Sequence, residues 1–311
     1  MSGEEANKEE ALNEAILRTM LEALNELEGE DGPSACWVKA VPRPQVGLLP
    51  SFLYGCLTNG QRDEEVLVRA GAAVELLYHS ATIFDDIQDS SEARYGLPAS
   101  WKLYGKERAI NIGIWLLSAA NLIVTGPGMP ADIAVPAVAA VSRAVGNMTR
   151  GQWSDLSLAR PDLQQCMALS GRKTGALIAA GLHLGAIAAK VPSDRHAVLL
   201  DAGFRLGEAL QLHDDLEDLI DRFAAGGPRW TSAAAAVYPH LPDEAKHELD
   251  NAMARADARQ FTAILADHGA SQMVFSISAA SAAAARKLLG YAGLSKRSVD
   301  SLYTLLGLHR M

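Results

Sequence analysis

The feature that most constrains this 311-residue chain is a pair of acidic runs with one shared spacing, Asp85-Asp86-Ile87-Gln88-Asp89 and Asp214-Asp215-Leu216-Glu217-Asp218. Each closes an apolar segment with helical periodicity, Glu75 to Phe84 before the first and Phe204 to Leu212 before the second. Residues i and i+4 share a helix face, so Asp85 stacks over Asp89, and Asp214 over Asp218. Like charges so placed cost roughly 0.2–0.5 kcal/mol per pair. Two such clusters in otherwise apolar helices make sense where a cation neutralises them. Hard divalent ions take oxygen ligands, and Mg²⁺ binds through one or two carboxylates together with phosphate oxygens and water. Two facing carboxylate walls are therefore predicted to hold several Mg²⁺ ions around a diphosphate.

The rest of the chain reads as helix. Apolar residues make up 49% of it and aromatic residues only 6%, while Gly and Pro gather between long periodic segments. That pattern predicts an all-α protein. Periodicity and breakers predict helices over 5–28, through about Leu57, then 62–89, 106–125, 131–158, 161–172, 173–190, 193–222, 241–267, 270–290 and 295–309. Pro42 and Pro44 predict an extended entry from Trp37 onward. Residues 90–105 and 224–230 read as loops, the second a plausible lid. No repeat, low-complexity linker or second core divides the chain, so one domain over 1–311 is expected.

Bulk properties exclude several classes. A net charge of −9 disfavours nucleic acid and anionic membrane as partners. Cys36, Cys56 and Cys166 form no CxxC pair, which argues against a disulfide framework or zinc site and fits a reducing, cytoplasmic setting. The first twenty residues lack a basic stretch followed by an apolar one, so no secretory signal is expected. The longest apolar run, Ala176 to Ala189, is about 14 residues against the roughly 20 that span a bilayer, so it reads as a core helix and no stable membrane insertion is expected. No HExxH, GxGxxG after a strand, or GxxxxGK[ST] motif is present.

Further residues complete a recognisable set: Arg94 after the first cluster, Gly151-Gln152-Trp153-Ser154-Asp155, Lys173-Thr174-Gly175, and Gln211 two residues before His213-Asp214-Asp215. In this order and spacing, from about residue 39 to the C-terminus, the chain resembles the trans-isoprenyl diphosphate synthases. The resemblance implies an isoprenoid synthase-type helical bundle around a deep central cavity, three Mg²⁺ ions, an allylic prenyl diphosphate substrate and a homodimer. Carried over by position, Asp85 and Asp89 would bind two ions and Asp214 the third, with Asp86, Asp215 and Asp218 as supporting ligands. Arg94 and Lys173 would clamp the diphosphate, while Thr174 and Gln211 would face the allylic carbons. Metal ions and cationic side chains aimed at a departing diphosphate lower the barrier to C–O cleavage. Trp153 and Phe84 are candidate π faces for the resulting cation.

Departures from the family pattern carry their own expectation. Elongating members bind isopentenyl diphosphate through a Gly-Lys-x-x-Arg segment, a His or Gln seven residues before the first Asp, and a second Arg after the first. Here the segment reads Val38-Lys39-Ala40-Val41-Pro42-Arg43, and the other two positions are Tyr78 and Tyr95. Arg43 alone fits. Ionisation without a second diphosphate implies cyclisation, as in class I terpene cyclases. Ser80 and Ala81, small where bulkier residues would cap the cavity, imply a long substrate such as geranylgeranyl diphosphate. The alternatives are chain elongation with the acceptor site rebuilt from Lys39, Arg43, Lys102 and Arg229, and prenyl transfer to another acceptor. A non-catalytic partner of an active synthase is a third reading, disfavoured by the intact clusters.

Overall fold

The computed structural model describes residues 3–41, 46–58, 63–217 and 230–308, with residues 3–6 and 216–217 described by backbone alone. Helices α1 (Gly3–Glu28) and α2 (Pro33–Ala40) lead through a 3₁₀ turn (Val46–Leu48) into α3 (Leu49–Leu57) and α4 (Glu64–Asp89). A two-residue hairpin, β1 (Ala93–Arg94) and β2 (Leu97–Pro98), precedes α5 (Ser100–Tyr104), α6 (Lys106–Thr125), α7 (Ala131–Ser157) and α8 (Leu163–Ser170). One turn of π-helix (Gly171–Gly175) joins α8 to α9 (Ala176–Ala188), and α10 (Ser193–Glu217) follows. The chain then forms α11 (Ser232–Val237), α12 (Asp243–Ala254), α13 (Ala258–Asp267), α14 (Ala270–Tyr291) and α15 (Lys296–Leu305).

Local chemistry explains the boundaries. Asp63 caps α4 by accepting a hydrogen bond from the Val66 amide, and Glu64 and Glu65 in the first turn complement the helix dipole. The capping box of α8 pairs Asp162 with Gln165 in both directions at 2.8 Å. The segment expected to be extended from Trp37 is instead helical through Ala40. Pro33 sits at the first helical position, where its missing N–H is no loss. The Glu28 carboxylate accepts from the Ser34 and Ala35 amides, each at 3.2 Å. Burial of Trp37 and Val38 completes the α2 turn. Two further differences are smaller. The loop after the first cluster contains β1, β2 and α5, and the span read as one helix over 241–267 breaks between Ala254 and Ala258.

Three apolar clusters organise the bundle. One is built mainly from α1, α2, α4, α6, α7 and α9. A second joins α3, α9 and α10 to α14 and α15. The third gathers α11 to α13 and the start of α14 around Leu212. Helix α9 is buried from Ala176 to Ile187, the expected core helix. Beside it α10 runs in backbone contact: a Cβ on Gly207 would fall 2.1 Å from the Gly175 Cα, and one on Gly203 would fall 2.4 Å from the Ala179 Cα. A buried imidazole pair also ties the two helices, His183 Nε2 lying 3.0 Å from His196 Nδ1, and burial holds His183 down to a pKa of about 4. Among the described residues, one helix (Lys106–Thr125) is long and apolar enough to cross a membrane, with 44% of its window buried. Cys36, Cys56 and Cys166 form no disulfide.

Candidate active site

The first acidic cluster lies on the last turns of α4, and its members differ in environment. Asp86 points inward, fully buried, and receives the Arg94 guanidinium, whose Nε and Nη2 lie 3.1 and 2.5 Å from Asp86 Oδ1. Burial raises the Asp86 pKa; Arg94 opposes the shift, while Asp85 and Asp89 add to it. For Arg94 burial pulls the pKa down, but the paired Asp86 carboxylate outweighs it and leaves the guanidinium firmly charged. The turn that delivers Arg94 begins at Ser90, in the left-handed region at φ 56°, where the Ser91 amide closes back on the Asp86 carbonyl at 2.9 Å.

Asp85 is less buried and lies between two cations. Its Oδ2 lies 3.7 Å from Arg94 Nη2 and its Oδ1 lies 3.3 Å from Lys173 Nζ. Lys173 also meets Asp155 Oδ2 of the Gly-Gln-x-x-Asp segment at 2.9 Å. Burial would lower the lysine pKa, but Asp85 and Asp155 together raise it. The Gly-Gln-x-x-Asp motif by itself assigns Asp155 no role. The structure shows it to be the second anchor of Lys173.

The π turn brings the second cluster into the same region. Thr174, next to Lys173, donates its hydroxyl to Gln211 Oε1 of α10 at 2.6 Å. Gln211 Nε2 donates in turn to Asp215 Oδ1 at 3.0 Å. Adjacent residues thus read opposite walls, Lys173 the first cluster and Thr174 the second. Their proximity follows from the glycine contact described above, because only hydrogen at 175 and 207 lets the two backbones touch. A π turn, with its one extra residue, is a recurrent device for aiming side chains at a site.

Asp214 is solvent-exposed one residue from this network. Asp218, Arg43 and Arg229 lie outside the described residues, as does the loop over 224–229. Tyr78 and Tyr95 share a hydrogen bond between their hydroxyls. Burial first, and the Tyr95 hydroxyl second, push the Tyr78 phenol well above its ordinary range. Lys39 pairs with Asp31 at 2.7 Å and Lys102 with Glu92 at 2.9 Å, both near the surface. Ser80 donates to the Gly113 carbonyl at 2.9 Å, so its small size is accounted for by α6 packing on α4. Ala81, its neighbour, is half-buried. Two further expectations need correction. Trp153 is 74% exposed and turns to solvent, because it sits on the outer face of α7. Phe84 lies on α6, where a Cβ at Gly113 would fall 2.6 Å from its ring, so it is a packing residue.

The donors suit a hard cation. Asp85 Oδ1 is buried and makes no hydrogen bond in spite of its ion pair with Lys173, which leaves acceptor capacity on a carboxylate oxygen. Among the described residues, no three carboxylates, imidazoles or thiols converge into a preformed cage. The two surface grooves found lie along α14, about Ser276 and Ile277, and no cluster residue lines them.

These walls, with a bundle of this topology, define a class. The polyprenyl synthetase family matches residues 43–229, and the chain belongs to that family. Among curated relatives, the (2E,6E)-farnesyl diphosphate synthase of Mycobacterium tuberculosis is 31% identical over 170 residues, 54% of this chain and 47% of that protein. The geranylgeranyl diphosphate synthase of Sulfolobus acidocaldarius is 32% identical over 179 residues, 56% of this chain and 52% of that protein. The chain thus spans about half the length of the curated relatives it matches. A solved structure of geranylgeranyl pyrophosphate synthase from Corynebacterium glutamicum, complexed with isoprenyl diphosphate and magnesium, superposes with a TM-score of 0.81 at 20% identity. It covers 96% of this chain and 99% of that one. At that identity the likeness establishes the fold. The curated relatives named are both diphosphate synthases.

Proposed function

We propose that the chain is a metal-dependent prenyl diphosphate synthase, which ionises an allylic prenyl diphosphate and joins the prenyl cation to isopentenyl diphosphate. The observation that carries this reading is the Lys173-Thr174 pair, spanning from Asp85 on one wall to Gln211 and Asp215 on the other. Lys173 and Arg94 supply positive charge where a diphosphate would depart, Arg as a planar fork and Lys as a point charge. Each is held by carboxylates on two sides, so little reorganisation is needed as charge develops. Thr174 and Gln211 present oxygen and amide dipoles where the cation would form. Magnesium, when bound by Asp85, Asp89 and Asp214 as up to three ions, would neutralise the leaving diphosphate. Names of the relatives, from farnesyl to geranylfarnesyl diphosphate synthase, support a product of C15 or longer.

A second reading, cyclisation of geranylgeranyl diphosphate, is favoured by the Tyr78–Tyr95 hydroxyl pair. It stands where elongating members would place cations for the acceptor diphosphate. Product analysis separates the two. The purified chain with Mg²⁺ and C10, C15 or C20 allylic diphosphates should yield a longer diphosphate only when isopentenyl diphosphate is supplied. Hydrocarbon or alcohol formed without it would overturn elongation in favour of cyclisation.

The homodimer implied by the resemblance is also proposed. Ile110 and Ile114, one turn apart on α6, are 41% and 50% exposed, a face that a second copy would cover. Sedimentation of Ile114→Asp should show a monomer where the unaltered chain shows a dimer. An unaltered chain that sediments as a monomer would end that proposal.

A further inference from the structure

A serine outside every motif of the sequence closes the hydrogen-bond chain that begins at Thr174. Ser232, 3% exposed in the first turn of α11, donates to Asp215 Oδ2 at 3.1 Å. The other carboxylate oxygen, Oδ1, accepts from Gln211 Nε2 at 3.0 Å, and Gln211 Oε1 accepts from Thr174 Oγ1 at 2.6 Å. Ser232 is itself well placed, because the preceding residue, Thr231, caps α11 by accepting from the Ala234 amide at 3.2 Å.

The direction of every proton in this chain follows from its carboxylate end. Both Asp215 carboxylate oxygens accept, Oδ2 from the Ser232 hydroxyl and Oδ1 from the Gln211 amide. Gln211 therefore turns its NH₂ to Asp215 and its carbonyl oxygen to Thr174. An amide oxygen also only accepts, so the Thr174 hydroxyl must donate to it. With its proton committed to α10, the Thr174 oxygen keeps its lone pairs for its other neighbours. It thus presents the negative end of its dipole on the side away from Gln211. Reversing the amide would turn the hydroxyl into an acceptor from Gln211 and swing its proton outward, the wrong polarity beside a developing cation.

We infer that Ser232 is a positioning residue, which holds the orientation of the Asp215 carboxylate in the Ser232–Asp215–Gln211–Thr174 relay so that the Thr174 oxygen faces the allylic cation with its lone pairs. The role at the cation rests on the prenyl-transfer reading above, whereas the relay itself is a property of the folded chain. Ser232 holds the carboxylate plane from the far side. Without it Asp215 loses its Oδ2 bond to α11, the Gln211 amide is held less firmly, and the Thr174 hydroxyl is less sharply oriented.

Two measurements on the full chain test this. The first needs no substrate: the side-chain amide signal of Gln211 in ¹⁵N-labelled protein, identified by its loss in Gln211→Leu. In Ser232→Ala that signal should shift and lose protection from exchange, with recovery in Ser232→Thr, which keeps the hydroxyl. An unchanged signal in a folded Ser232→Ala protein overturns the relay, whatever the chain catalyses. The second is turnover of an allylic diphosphate. For Ser232→Ala, kcat should fall about 10- to 100-fold, the range for an outer partner of an active-site group, with KM within about twofold and Ser232→Thr restored. A shifted amide signal with kcat unchanged, or a loss confined to KM, overturns the link to the cation. If the unaltered chain turns over no allylic diphosphate, the link to the cation falls with the proposed function, and the amide signal still decides the relay. Thermal unfolding of each variant distinguishes a folding defect from these outcomes. If Ser232→Ala does not fold, the Ser232→Thr signal decides: it should match the unaltered chain, and loss of Gln211 protection there overturns the relay.

Discussion

Asp85→Asn should lower turnover of an allylic diphosphate by about 10²–10³-fold or more, the cost of removing one group that stabilises charge in a transition state. The substitution is nearly isosteric; it removes the charge and replaces one acceptor oxygen by an NH₂ donor. Lys173 keeps its partner Asp155 at 2.9 Å, and Arg94 keeps Asp86, so both cations stay in place. What disappears is the carboxylate oxygen that is buried without a hydrogen bond and stands 3.3 Å from Lys173. The fold should therefore persist, with an unchanged far-ultraviolet spectrum, while magnesium affinity measured by calorimetry weakens alongside turnover. Activity within tenfold of the unaltered chain would remove this cluster from the chemistry.

Gly207→Ala should act through geometry alone. A methyl group there would lie 2.1 Å from the Gly175 Cα and from its nitrogen, backbone atoms that cannot swing aside. Either α10 or the π turn must move. Overpacking of this kind typically costs about 1–3 kcal/mol, a fall in melting temperature of roughly 2–5 °C for a chain of this size. The same displacement opens the contact between Thr174 and Gln211, now 2.6 Å. Activity should fall further than the loss of folded protein accounts for, because positions near a reacting centre tolerate little movement. A variant with unaltered melting temperature would show that the helices have slack at this crossing. Ala at Gly146, where a Cβ meets nothing within 4 Å, is the matching control.

Much of this protein was legible before any coordinates. Helical periodicity placed α1, α6 and α7 within two residues, since each is long, amphipathic and bounded by Gly, Pro or a capping side chain. The spacing of Asp85 and Asp89, and the Lys173-Thr174 dipeptide, mark a candidate site because charge in an apolar helix needs an explanation. Less visible was the helix at Pro33–Ala40, where two later prolines suggested extension but Glu28 supplied a cap from six residues upstream. Short helices such as α5 and α11 were missed because so few residues carry no period. Ser80 looked like a determinant of chain length, yet its hydroxyl is spent on the Gly113 carbonyl, a neighbour 33 residues away.

Sequence alone therefore determined the class: all-helical, built about paired carboxylates, with cations and an amide near them. Those properties are local, set by residue type and by spacing along one helix. Tertiary structure decided how the parts are divided. It turned Asp86 inward under Arg94 and left Asp85 facing Lys173. It brought Thr174 to Gln211 through a glycine-to-glycine crossing, and it supplied Ser232 from a separate helix. Hydrogen-bond direction and backbone approach depend on partners distant in sequence, and no spacing along the chain encodes them.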